Sequence, residues 1–217
     1  MRIIEAIIFD MDGTLIDSEV LWVEAIELAL LDRGVPVTRE EMSALVYGRS
    51  WSDIYVDIEA RYPGAYASRF EIEAFTEPLF SRMSCERDIC IHPSVALLRS
   101  LGERLPLAIV SGSTRHRIEK TIEDLGIGFL VDVFLGCEDV SAGKPDPVGF
   151  QMAARAMGVD ACRCLVFEDS AAGVRAAKAA GMACVGLSRE NARDQDLDGA
   201  DVVLSSLDCF EAGAFGL

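Results

Sequence analysis

The chain has few of the residues that build zinc sites and disulfide frameworks. It has only two histidines, His92 and His116, and its seven cysteines include no C-x-x-C pair. A zinc site of the His/Cys type therefore has little material. The odd number of cysteines fits small buried residues in a reducing cytosol better than disulfides, so we expect a cytoplasmic protein. His92 precedes a proline and is predicted in a loop, whereas His116 is predicted on a helix face.

Positive charge is also scarce. Lys and Arg total 20 against 36 Asp and Glu, a net charge of −16, and the sequence has only three lysines. Without a basic cluster, this balance predicts no nucleic-acid partner. No apolar run approaches the length that spans a membrane, and Met1-Arg2 leads directly into an apolar stretch, so we expect no signal peptide and no membrane segment. Apolar residues make up 51% of the chain, which is ample for a sizeable core.

The first structured stretch ends in two acidic residues. Apolar residues run from Ile3 to Phe9, broken only by Glu5, and Asp10-Met11-Asp12-Gly13 follows. A short apolar run that ends in turn residues predicts a buried strand whose C-terminal end opens onto a loop. Two carboxylates this close repel each other unless a cation or a proton offsets their charge. Taken alone, the pattern favours a turn with two solvated aspartates.

Residues 17–88 are predicted to form a block of four helices without a strand. The first helix covers 18–34 and the second runs from 38 to 46, opened by the capping box Thr38-Arg39-Glu40-Glu41. A third is predicted from Ser50 to Arg61. The fourth runs from 68 to 84 and opens with Ser68-Arg69-Phe70-Glu71, a second capping box.

From residue 89 onward, helices alternate with strands. Strands are predicted at 105–110, 131–135, 164–167, 183–187 and 201–204, with helices at 93–104, 114–125, 147–158 and 171–180. This alternation predicts an α/β fold with a doubly wound parallel sheet and helices on both faces. Because the first strand belongs to that sheet, the helical block is an insertion. The predicted domains are therefore 1–16 plus 89–217 for the sheet, and 17–88 for the helices.

The predicted strand ends and one loop carry polar residues that suit phosphate chemistry: Asp10, Asp12, Ser111, Lys144, Glu168 and Asp169. The carboxyl ends of parallel strands meet at one edge of a sheet, where ligands bind. Oxygen ligands favour Mg²⁺ over Zn²⁺, and a hydroxyl and a lysine can bind phosphate oxygens. Each residue also has a simpler interpretation: Ser111 and Ser113 as helix caps, Lys144 as a solvated lysine, and Glu168-Asp169-Ser170 as a helix N-terminus.

Four motifs in order resemble the haloacid dehalogenase superfamily of phosphohydrolases, in the branch with a helical cap inserted after the first motif. They are Phe9-Asp10-Met11-Asp12-Gly13-Thr14-Leu15, Val110-Ser111-Gly112-Ser113, Gly143-Lys144-Pro145-Asp146-Pro147 and Glu168-Asp169-Ser170-Ala171-Ala172-Gly173. The resemblance covers essentially the whole chain. It implies a Rossmann-like core with a cap, acting as a monomer on a small phosphate ester, with a sugar phosphate as the expected substrate.

The resemblance also implies a role for each site residue. Asp10 would attack phosphorus and form an aspartyl-phosphate, with Asp12 as general acid and then general base. Mg²⁺ would be held by Asp10, by the backbone carbonyl of Asp12 and by Asp169, with Glu168 acting through water. The phosphoryl group would be held by Ser111, Gly112 and Lys144.

Other activities within the same family are less consistent with the sequence. The resemblance implies that a dehalogenase would lack an acid at the place of Asp12, which is present here. It also implies that a phosphonate hydrolase would need a cap lysine, which residues 17–88 do not supply. The hexose-phosphate mutases of the β-phosphoglucomutase type are the closer alternative, because Gly48-Arg49-Ser50 resembles their substrate loop. They also use a cap lysine, and a histidine where Trp22 stands here. A phosphatase is therefore preferred, and a non-catalytic binding module is the third possibility.

Two further predictions concern the cap. Arg49 is predicted either to contact an anionic group of the substrate or to be an ordinary surface arginine. Glu19 and Trp22 lie on the first cap helix and could shape the pocket, but core packing is the preferred interpretation of Trp22.

Overall fold

The computed structural model describes residues 3–47, 49, 51–189 and 195–217. The chain divides into two compact units. We call Met1–Ile16 with Cys90–Leu217 the sheet unit, and Asp17–Ile89 the helical unit.

In the residues that the structure describes, the sheet unit contains six strands in one parallel sheet. They are β1 (Ala6–Phe9), β2 (Leu107–Val110), β3 (Val133–Leu135), β4 (Cys164–Glu168), β5 (Ala183–Leu187) and β6 (Val202–Leu204), in the order β3-β2-β1-β4-β5-β6. Phe9 is level with Ile109 of β2 and Phe167 of β4. The residues that follow these three strands therefore emerge side by side.

Helices of the sheet unit alternate with its strands, as predicted. They are α5 (His92–Gly102), α6 (Arg115–Asp124), α7 (Val148–Ala156) and α8 (Ala171–Ala179). Ala6 and Ile8 of β1 belong to one buried cluster with Phe150 of α7 and Val174 of α8. Alternate strand residues point to opposite faces of a sheet, so Ile7 and Phe9 face the other side.

The opposite face is covered in part by the end of the chain. Phe9 stacks on Phe167 with 4.6 Å between ring centroids, and Phe210 meets Phe167 edge-on at 5.1 Å. Phe215 stacks on Phe210 at 5.5 Å. The last residues, in which the sequence shows no motif, therefore contribute aromatic rings that cover the centre of the sheet.

The helical unit contains α1 (Glu19–Asp32), α2 (Arg39–Val46), α3 (Trp51–Arg61) and α4 (Arg69–Glu86). The capping box of α2 is confirmed, because Thr38 accepts from the Glu41 N–H and Glu41 accepts from the Thr38 N–H. At α4 only half of the predicted box forms. Ser68 accepts from the Glu71 N–H, but the Glu71 carboxylate accepts from the N–H of Ala67 instead of Ser68.

Some sequence predictions are corrected by the structure. The first strand begins at Ala6 rather than Ile3, whose side chain is exposed, and His92 begins helix α5 rather than lying in a loop. Only Cys164 and Cys184 are buried. The prediction of buried cysteines is wrong for four that are exposed: Cys85, Cys137, Cys162 and Cys209.

Candidate active site

The carboxyl ends of β1, β2 and β4 bring most of the predicted polar residues to one edge of the sheet. Asp10 and Asp12 follow β1, which lies between β2 and β4 in the sheet. Ser111 follows β2, whereas Glu168 is the last residue of β4 and Asp169 comes next. Strand order thus places one hydroxyl on one side of the two aspartates and two carboxylates on the other.

Lys144 reaches this edge from the loop between β3 and α7. Its Nζ donates to Asp10 Oδ1 and to Glu168 Oε1, each at 2.5 Å, and to the Val110 carbonyl at 3.1 Å. The peptide bond between Lys144 and Pro145 is cis. The interpretation of Lys144 as a solvated loop lysine is wrong, because its ammonium group is enclosed between two buried carboxylates.

Two carboxylates share one lysine, and this shapes the electrostatics of the site. Burial raises the pKa of Asp10 to about 8, and the attraction of Lys144 lowers it only in part, because Glu168 and Asp12 add negative charge nearby. Burial lowers the pKa of Lys144, but Asp10 and Glu168 raise it more, so the net shift is upward and the lysine stays charged. The negative charge of these carboxylates therefore exceeds the positive charge of Lys144, and the site favours binding of a further cation.

A divalent cation fits the remaining free oxygen. Within the described part of the chain, the buried Asp10 Oδ2 has no hydrogen-bond partner. Carboxylate oxygens of Asp10, Glu168 and Asp169 lie within 4.8 Å of one another. An acceptor-only oxygen buried without a donor is costly, and hard oxygen donors are the ligands that Mg²⁺ prefers. The donor set therefore suits Mg²⁺.

Glu168 is oriented by the start of α8. Its Oε2 accepts from the Ser170 N–H at 2.8 Å and from Ser170 Oγ at 2.9 Å. The Glu168 side chain is fully buried. A Cβ at Gly173 would lie 1.7 Å from Glu168 Oε1, so only glycine leaves room for this carboxylate. Ser170 Oγ also accepts from the Gly173 N–H, which confirms Ser170 as the N-cap of α8.

Asp12 is held by two hydroxyls. Ser111 Oγ and Ser113 Oγ each donate to Asp12 Oδ2 at 2.8 Å. Neither serine caps α6, because Thr114 is its N-cap and accepts from the Arg117 N–H. Asp12 is therefore oriented by the loop that follows β2.

The loop after β1 is fastened from two sides. Thr14 Oγ1 donates to Asp169 Oδ1 at 3.2 Å, and Arg189, just after β5, donates from Nε to the Gly13 carbonyl at 3.1 Å. The roles of Thr14 and Arg189 and the contact between Ser113 and Asp12 are not predicted from the sequence. Thr14 lies in the first of the four motifs and Ser113 in the second, but no local signal marks Arg189.

The predicted cap residues lie in the helical unit. The Arg49 guanidinium donates to Asp57 Oδ2 at 2.5 Å, and its role as a substrate contact stays a prediction. Gly48 and Ser50 lie outside the described residues, and Gly112 is exposed between Ser111 and Ser113.

The first helix of the unit carries Glu19 and Trp22. Glu19 is its first residue. Trp22 stacks on Phe80 at 4.4 Å and lies 5.1 Å from Trp51, so the preferred interpretation of core packing is confirmed.

None of the helices among the described residues is both long and apolar enough to cross a membrane. The monomeric state and the cytoplasmic location stay predictions.

Comparison with known proteins identifies the family of this chain. Residues 4–181 match the family model described as haloacid dehalogenase-like hydrolase. The chain is 34% identical over 201 residues to the validoxylamine A 7'-phosphate phosphatase of Streptomyces hygroscopicus subsp. limoneus, covering 92% of each protein. It is 34% identical over 211 residues to hexitol phosphatase B of Escherichia coli K12, covering 95% of this chain and 94% of the relative.

Among solved structures, CbbY from Rhodobacter sphaeroides in complex with phosphate is similar, with a TM-score of 0.81 and 26% identity. The similarity covers 95% of this chain and 96% of that one. Residues 4–181, which match the family model, include β1 to β4, the inserted helices and all four motifs. The chain belongs to the haloacid dehalogenase-like hydrolases.

Proposed function

We propose that this protein is a Mg²⁺-dependent phosphatase that hydrolyses a small phosphorylated metabolite, with a sugar phosphate as the substrate class, through an aspartyl-phosphate intermediate. The observation that carries the proposal is the Asp10 carboxylate. It is buried at a strand end, with Oδ1 on Lys144 and Oδ2 without a partner among the described residues. The lysine holds such a carboxylate in one orientation, in which its oxygens can attack phosphorus and bind a cation.

The relatives support the substrate class. Two proteins that align with more than nine-tenths of this chain are named as phosphatases, one of validoxylamine A 7'-phosphate and one of hexitols. Their names support a phosphate ester of a polyhydroxylated compound as the substrate here. Because one fold hosts many activities, the individual substrate is identified by assay.

In the first step of the proposed reaction, an oxygen of Asp10 attacks phosphorus while Asp12 gives a proton to the leaving alcohol oxygen. The bond between phosphorus and that oxygen breaks, and the alcohol departs. In the second step, Asp12 takes a proton from water, the water oxygen attacks phosphorus and Asp10 is released. Covalent catalysis of this kind divides one difficult displacement into two easier ones.

The remaining residues hold the phosphoryl group and the metal. Lys144, the Ser111 hydroxyl and the loop at Gly112 would bind phosphoryl oxygens. Mg²⁺ would be held by Asp10, Asp169 and the Asp12 carbonyl, with Glu168 acting through water. When bound, the metal neutralises charge on the transferring group and favours the ionised form of Asp10.

The proposal is tested by measuring phosphate release from a panel of sugar phosphates and nucleotides, with Mg²⁺ and with a chelator. The wild type is compared with Asp10→Asn, which keeps the shape of the side chain and replaces the nucleophilic carboxylate by a neutral amide. We expect release that requires Mg²⁺ and is lost in the variant by a factor of at least about 10³. The panel also identifies the substrate.

Two other outcomes would contradict a phosphatase. Conversion of a hexose 1-phosphate to its 6-phosphate without phosphate release would make the protein a mutase. No turnover of any compound, with the metal present, would favour the binding module.

A further inference from the structure

The proposed reaction leaves one hydroxyl of the site without a role. Ser113 Oγ donates to Asp12 Oδ2 at 2.8 Å, the same oxygen that accepts from Ser111 Oγ. The Ser113 N–H also donates to Ser111 Oγ at 2.9 Å. Two serines therefore orient one carboxylate.

Ser111 and Ser113 cannot both donate to Asp12 once substrate binds. A serine hydroxyl has one proton to donate. In the proposed function Ser111 donates it to the transferring phosphoryl group, so it can no longer donate to Asp12. Ser113 is then the hydroxyl that continues to hold Oδ2 of the general acid.

Ser113 is itself firmly placed. Its carbonyl accepts from the Cys137 N–H at 3.0 Å. The loop of Cys137 is tied to the start of α6, because Asp139 Oδ2 accepts both from the Gly136 N–H at 2.9 Å and from Arg115 Nη1 at 2.8 Å. The Ser113 hydroxyl thus belongs to a fixed frame between β2 and β3 rather than to a loose loop.

We propose that Ser113 is a positioning residue for proton transfer, an inference that rests on the proposed phosphatase function. Because Oδ2 accepts the hydrogen bond from Ser113, the proton that Asp12 gives to the leaving oxygen is carried on Oδ1. The proton moves from Asp12 Oδ1 to that oxygen as its bond to phosphorus breaks, and Asp12 is left ionised to take a proton from water. Ser113 exchanges no proton in either step.

The test exploits leaving groups that differ in their need for a proton. Phenyl phosphate and 4-nitrophenyl phosphate are similar in shape, but 4-nitrophenolate is a far more stable anion than phenolate and leaves without protonation. Values of kcat/KM, which report the first irreversible step, are measured for wild type and Ser113→Ala. We expect a loss of about 10- to 100-fold with phenyl phosphate and less than about threefold with 4-nitrophenyl phosphate.

Three comparison variants define the result. Asp12→Asn should show the same preference for the better leaving group, in a stronger form. Ser113→Thr, which keeps a hydroxyl, should recover most of the activity on phenyl phosphate. Thr114→Ala removes the neighbouring hydroxyl, which caps α6 by accepting from the Arg117 N–H, and should affect both substrates equally.

The inference is overturned if Ser113→Ala loses activity equally on both substrates, since that pattern indicates phosphate binding or a structural role. It is also overturned if the variant matches the wild type on phenyl phosphate. Failure of the wild type to release phosphate from these two esters and from every compound of the sugar-phosphate and nucleotide panel would instead overturn the proposed function, and the inference with it.

Discussion

At the scale of single residues, the site depends on how closely the β1 loop approaches Asp169. Gly13 has a φ of +90°, and a Cβ built there would lie 2.0 Å from Asp169 Oδ2. Gly34, in the loop after α1, has a φ of +72° with nothing within 4 Å of its virtual Cβ. Both glycines have a positive φ that would strain another residue, and they differ in the space around them.

This difference predicts different outcomes for the same substitution. Gly34→Ala should lower the free energy of unfolding by about 1–2 kcal/mol through backbone strain alone and leave phosphate release intact. Gly13→Ala should in addition displace the Asp169 carboxylate and weaken Mg²⁺ binding at least tenfold. Urea unfolding and calorimetric titration with Mg²⁺ measure the two effects. Unchanged Mg²⁺ affinity in Gly13→Ala would show that Asp169 is not a ligand.

Residue types at the site could be predicted from the sequence, but several contacts could not. Asp10, Ser111, Lys144 and Asp169 stand in recognisable motifs. The hydrogen bond from Arg189 to Gly13 joins residues 176 positions apart, and no local pattern indicates it. The partners of a side chain depend on strand order and loop path, which local sequence does not encode directly.

At the scale of secondary-structure elements, helix caps are the features that the sequence predicts most directly. The α2 box forms in full, whereas the α4 box forms only its serine half. At α4, Glu71 also pairs with Arg33 at 2.7 Å, a contact across 38 residues. A cap that depends on local atoms is predictable, and one whose glutamate has a distant partner is less so.

The complete capping box at α2 predicts a measurable loss of stability when its threonine is replaced. Thr38→Ala should lower the free energy of unfolding by about 1 kcal/mol, because the Glu41 N–H loses its acceptor. Ser43→Ala is the matched control in the same helix. Its hydroxyl donates to the carbonyl of Arg39, which lies in that helix too, and it caps no backbone N–H in the part of the chain that the structure describes. That variant should change stability by less than about 0.5 kcal/mol. Equal losses in the two variants would contradict the capping contribution.

Strand boundaries, like helix caps, are only partly predictable from local sequence. The β5 strand was predicted at 183–187 and lies there, because its apolar run is bounded on both sides by turn residues. The β1 strand is shorter than its apolar run, and Ile3 is exposed outside the sheet. Pairing with β2 and β4, rather than hydrophobicity, decides where the strand begins.

At the scale of the whole molecule, metal binding should raise stability. A ligand at about 100 times its Kd stabilises the folded state by about 2.7 kcal/mol, which raises the Tm of a chain of this size by roughly 5–10 °C. We expect this shift with Mg²⁺ in the wild type at constant ionic strength, measured by thermal unfolding. Asp169→Asn should reduce the shift strongly. An equal shift in both proteins would place the metal elsewhere.

The cysteines provide a probe of the folded core. Burial raises the pKa of the Cys164 thiol to about 11, and Cys184 shifts in the same direction, so both thiols stay protonated at pH 8. Cys162, two residues earlier, is exposed. A thiol reagent at pH 8 should label Cys162 in the native protein and Cys164 only after unfolding, as read by peptide mass spectrometry. Equal labelling rates would contradict the burial of β4.

The alternation of strands and helices, the helical insertion and the motifs that supply the acids, hydroxyl and lysine are all predictable from the amino-acid sequence. These are local patterns, expressed within a few residues of one another. The positions of Lys144 between Asp10 and Glu168, and of Ser113 beside Ser111 on Asp12, depend on the three-dimensional fold. Those contacts join residues 24 to 134 positions apart, so they exist only once the order and register of the strands bring the loops together.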